Sequence, residues 1–174
     1  MARRRQASEP PRILICGDYF GINTGFARVN RNLIRGFKAR GYEVAQHCWF
    51  WYGQTGRGDQ DVEQRDYGCF RYPVQPGDGF GKRSFEAVTQ DWDPDVVVSV
   101  GDVWMTDWIM ASPGRGRFFW IPYFPLDALP FPTGWVPFVA DAAAFGQPIV
   151  YSRYAAGLIG QAMPETNVPV VGFG

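Results

Sequence analysis

Apolar positions along this chain alternate between two periods. Ile13, Leu14 and Ile15 form a short unbroken apolar run, the pattern of a parallel strand buried on both faces. From Thr24 the period lengthens: Phe26, Val29, Leu33, Ile34 and Phe37 recur at three- and four-residue spacing, while Arg28, Arg31, Arg35 and Lys38 fall largely on the other side. That spacing predicts an amphipathic helix, with Thr24 or Asn23 as its N-cap and Gly41 as its C-cap.

The same alternation continues. Strands are predicted over 43–51, 67–72, 95–100, 117–123, 148–152 and 168–171, and helices over 82–92, 103–110, 135–145 and 153–163. Pro137 falls in the first turn of its helix, where a missing N–H costs nothing. A polar, glycine-rich loop over 52–64 and a proline-rich loop after Tyr123 interrupt the pattern. Strand and helix alternate with no internal repeat, so the predicted fold is α/β, a doubly wound, mostly parallel, Rossmann-like sheet of six or seven strands. Residues 1–11 read as a disordered basic tail and 12–174 as one domain.

In such sheets ligands sit beyond the carboxyl ends of the strands, which directs attention to the loop Gly17, Gly21, Gly25. Its G-x-x-x-G-x-x-x-G spacing is not the dinucleotide fingerprint, and no Lys follows Gly25 to make a P-loop. Two readings stay open: a helix N-terminus offering backbone N–H groups to an anion or to sugar hydroxyls, or a tight turn that needs glycine for geometry alone.

Composition narrows the partners. Seventeen basic and seventeen acidic residues cancel, so no global field recruits nucleic acid or an anionic membrane. No apolar stretch approaches the roughly 20 residues of a membrane span, and the basic start lacks the apolar run of a signal peptide, so the expected location is cytoplasmic. Cys16, Cys48 and Cys69 lack paired spacing; Cys16 and Cys48 fall on predicted strands and read as core. Asp91, Asp93 and Asp95 do not make a calcium loop, because Val96 stands where the sharp turn needs glycine. Accordingly no metal is expected. Aromatic residues reach 17% and cluster at 49–52, at 118–120 and around the proline-rich loop, where they serve either a sugar-binding cleft or a core.

Taken in order, GDYFGINTGFARV, DPDVVVSVGDVW, WIPYFPLDALPFPTGW, PIVYSRYAAGLI and VPVVGFG resemble the N-terminal half of a GT-B fold glycosyltransferase, in the large retaining, family 4-like group that includes glycogen-synthase-like enzymes. The resemblance implies an acceptor-side domain whose glycine loop, Gly21, Asn23, Thr24 and Gly25, approaches the diphosphate of a nucleotide-sugar donor. It implies that Asp102 and Asp127 face the transferred sugar as the catalytic carboxylates, and that Ser152 and Arg153 shape the rim or contact phosphate. The donor is a substrate, so no separate cofactor is implied, and the partners are a nucleotide sugar, a hydroxyl acceptor and a second domain or chain carrying the donor site.

Plainer roles stand beside these. Asp102 is equally suited to capping the helix at Val103, whereas Asp127 sits among prolines, where Asp often makes an Asx turn, and its functional reading is the favoured one. Many relatives carry a histidine at the proline-rich loop, whereas His47, the sole histidine here, lies on a predicted strand. The donor-binding half is absent from these 174 residues, which leaves a second expectation: a non-catalytic assembly module that keeps the half-fold and self-associates.

Overall fold

A computed structural model describes residues 9–53, 68–127 and 129–172. Strands β1 (Arg12–Asp18) and β2 (Glu43–Trp49) bury every residue after their first, and β4 (Val96–Val100) every residue after Val96, as the unbroken apolar runs require. They form the centre of a sheet completed by β3 (Phe70–Pro73), β5 (Phe119–Phe124) and β6 (Ile149–Val150). All pairings are parallel, in the order β3-β2-β1-β4-β5-β6, with Ile13 opposite both Val44 and Val96. This is the doubly wound order, and the chain reverses its direction of travel between β1 and β4.

The two-residue period of the strands sorts their side chains onto two faces. Ile13, Ile15, Val44, Cys48 and Val98 meet helix α1 (Gly25–Ala39) through Val29 and Ile34. Leu14, Cys16, Ala45, Val97 and Trp120 meet α2 (Phe85–Trp92), α4 (Val136–Phe145) and α5 (Arg153–Ala162) on the other face. A single turn, α3 (Val103–Thr106), lies between β4 and β5. Cys16 and Cys48 are fully buried, as core residues should be. Among the described residues no helix is long and apolar enough to cross a membrane.

Several boundaries differ from the sequence reading. The strand expected over 168–171 reduces to one bridge, Val150 with Val170, so the sheet has six strands. The helix expected over 103–110 leaves α geometry at Thr106 and continues as a 3-10 turn, Asp107–Ala111. Helix α2 starts at Phe85 rather than 82 because the Asp78 carboxylate takes the N–H groups of Arg83 and Ser84 into a turn of its own. Gly41 lies one residue beyond the C-cap Arg40; its φ of +83° and its N–H bond to the Lys38 carbonyl close the helix end. Residues 1–8 of the expected tail and most of the expected 52–64 loop lie outside the described residues.

Candidate functional site

The glycine loop leaves β1 at the reversal point, and a buried polar network holds it there. The Asp18 carbonyl accepts from Asn30 Nδ2 at 2.7 Å and from Gln46 Nε2 at 2.8 Å. Gln46 Oε1 in turn accepts the Phe20 N–H at 3.1 Å, and the Arg31 guanidinium donates to the carbonyls of Phe20 (2.6 Å) and Ile22 (3.2 Å). Backbone groups that would otherwise be orphaned in a tight turn are thereby satisfied from α1 and β2.

Thr24 is the N-cap of α1, and its hydroxyl is used twice. It donates to the Asp18 carboxylate at 2.5 Å and accepts from the Ala27 N–H at 3.1 Å. Burial pushes the Asp18 carboxyl up from its ordinary value, while the Thr24 bond pulls it back. Thr24 therefore shapes the loop, and a ligand would meet the first N–H groups of α1, which have no partner within the helix.

The glycines separate by role. A Cβ on Gly17 would lie 2.8 Å from Asn30 Nδ2 and 2.9 Å from the Val100 carbonyl, and one on Gly21 would enter the Tyr19 ring, so close packing accounts for both. Gly25 has open space around it, and Asn23, Thr24 and Gly25 are exposed. Packing thus leaves Gly25, alone of the three, without a structural requirement for glycine.

The remaining predicted residues follow the carboxyl ends of neighbouring strands. Asp102 occupies the N-cap position of α3 in an extended conformation, yet its side chain makes no capping bond. Burial, reinforced by Tyr123 and then by the Asp102 charge, holds the Tyr151 hydroxyl above its ordinary range. Asp127 is exposed in the loop after β5, just before the cis Leu129–Pro130 bond. Ser152 caps α5 by accepting the Ala155 N–H at 3.1 Å, so its hydroxyl serves the fold, and Arg153 is exposed beside it. One sheet edge thus carries the glycine loop, both carboxylates and Arg153.

Aromatic residues extend that edge. Phe80 packs edge-to-face against buried Trp49 (5.6 Å between centroids), Phe50 (5.7 Å) and Trp104 (5.2 Å). Phe50 is 45% and Trp104 56% exposed, so this ring stack has a wet side. Phe50 also holds φ at +61°, a left-handed conformation that is costly for a bulky side chain. The 118–120 cluster, by contrast, divides: Phe118 and Trp120 are core and Phe119 is exposed. His47 is fully buried, its Nε2 2.9 Å from Ser84 Oγ, and burial lowers it to about 4. It is remote from solvent and belongs to the core. Among the described residues no group of three or more His, Cys, Asp and Glu could hold a metal ion.

Asp18, Asn30 and Gln46 escaped the sequence reading. An Asp closing an apolar strand and an Asn on the buried side of an amphipathic helix were the available signals.

The fold and its edge define a Rossmann-like α/β domain. No protein-family model matches the chain, and no curated protein matches it in sequence. In fold it is similar to HepE from Anabaena, solved in complex with UDP-glucose, with a TM-score of 0.55 at 15% sequence identity; the match covers 94% of this chain and 44% of HepE. The chain spans less than half the length of that protein.

Proposed function

We propose that this chain is the acceptor-side domain of a nucleotide-sugar-dependent glycosyltransferase of the GT-B type, family 4-like, transferring a hexosyl group to a hydroxyl. The observation that carries this reading is the glycine loop at the reversal point, held open at Gly25 by the Asp18–Thr24–Asn30 network, in a fold shared with a protein that binds UDP-glucose. The helix N-terminus suits a diphosphate, and the exposed Phe50 and Trp104 rings suit the apolar face of an acceptor sugar.

Asp127 and Asp102 are the carboxylates available at this edge. An exposed carboxylate after β5 can orient an acceptor hydroxyl or stabilise positive charge developing on the sugar. Asp102, free of a capping bond, supports it from β4. Donor groups of the second half would close the site from across the cleft.

The test is glucose transfer or hydrolysis from UDP-glucose, measured on the chain alone and with a donor-half domain supplied. Turnover that falls at least a hundredfold in Asp127→Asn supports the assignment; turnover unchanged in that variant removes Asp127 from the chemistry. A second reading, an assembly module, is favoured by the exposure of Trp104, Leu129 and Phe145. Self-association without turnover or UDP-glucose binding would select it.

A further inference from the structure

On the α1 face of the sheet a half-open pocket of about 410 Å³ lies between the first turns of α1 and the segment that follows α5, at Val171 and Gly172. It falls within the size range of pockets that take small organic ligands. Val29, Leu33, Val171 and the buried Tyr123 supply its apolar lining. The Tyr123 hydroxyl donates a 2.6 Å bond to the Val171 carbonyl, which uses its proton within the protein and ties two parts of the lining together.

The rim is different in kind. Arg28 and Asn32, one helical turn apart on α1, line the pocket and are exposed. The contrast with Arg31 is instructive, since that neighbour is spent on two loop carbonyls whereas Arg28 has no such tie. An apolar slot with one guanidinium and one amide at its rim is complementary to a molecule with an aliphatic chain and an anionic head.

We infer that this pocket binds a single-chain aliphatic anion, its chain against Val29, Leu33, Tyr123 and Val171 and its head on Arg28 and Asn32. Gly25 lines the pocket and belongs to the glycine loop, so the pocket adjoins the candidate site. On that basis the ligand is the lipid-borne part of the hydroxyl acceptor, a role that rests on the transferase reading; the binding itself does not.

Calorimetric titration of the full chain with decyl phosphate, kept below its micellar concentration, tests the inference. Saturable one-to-one binding is expected, with little or none for inorganic phosphate. Arg28→Gln should weaken decyl phosphate about tenfold, the loss of one charge-assisted contact, and leave decanol unchanged. Val171→Trp, a change at a partly exposed position that fills the slot, should weaken both ligands. No binding by wild type, full affinity in Arg28→Gln, or equal binding of inorganic phosphate would each overturn the inference. UDP-glucose binding measured on the same samples separates the two claims: loss of decyl phosphate binding alone overturns the pocket, and loss of UDP-glucose binding alone overturns the transferase reading.

Discussion

Replacing Gly17 with alanine should be among the most damaging small changes available to this fold. The added methyl would sit 2.9 Å from the Val100 carbonyl and 2.8 Å from Asn30 Nδ2, both well inside contact distance. Val100 pairs with Gly17 across β1 and β4, so its carbonyl cannot withdraw without opening the sheet. Asn30 must yield, and it then loses its 2.7 Å bond to the Asp18 carbonyl inside a fully buried site. Overpacking of this kind costs about 1–3 kcal/mol, and a buried amide left unsatisfied costs about 1–3 kcal/mol more. The expected loss is therefore about 2–6 kcal/mol, a large share of the roughly 5–15 kcal/mol that holds a domain together. Urea unfolding followed by tryptophan fluorescence measures it, with Gly25→Ala as the control, since nothing lies near a Cβ at that position. A Gly17→Ala protein within about 0.5 kcal/mol of wild type would refute the reasoning.

Three further outcomes are expected. His47 is held neutral by burial, from an ordinary 6.5 down to about 4, with Asp78 opposing the shift. The unfolded chain therefore binds the extra proton first, stability falls on acidification through that window by about 3 kcal/mol, and His47→Gln should flatten the slope of urea stability against pH. Ser152→Ala should cost about 1 kcal/mol in the same unfolding assay and leave ligand binding intact, because the hydroxyl caps α5. Asp141→Asn should destabilise by about 3 kcal/mol, because the buried Arg115 guanidinium, 2.9 Å from Asp141 and stacked over Trp120, would lose its counter-charge; thermal unfolding by circular dichroism reads this directly.

Much of the fold was legible because its signals are local. The apolar runs at 13–15 and 96–98, the helical period from Thr24 and the position of Pro137 each lie within one element, and each element formed where expected. The Thr24 cap was readable for the same reason. What stayed hidden depends on partners distant in the chain. The Asp18–Asn30–Gln46 network joins residues up to 28 positions apart, and only the register of β1 on β2 brings them together. Phe50, Phe80 and Trp104 come from three separate segments and meet only once the carboxyl edge is assembled. Asp102 shows the limit of local rules, since it takes a cap position without making the cap bond.

The account turns on whether the loop at Gly21–Gly25 faces a nucleotide sugar. Backbone amide NMR shifts on titration with UDP-glucose measure that most directly, because these amides are the groups assigned to the diphosphate. The account predicts saturable shifts concentrated at Gly21, Asn23, Thr24 and Gly25, with weak affinity in the absence of a donor half. A folded protein whose loop amides do not move at any UDP-glucose concentration would contradict it.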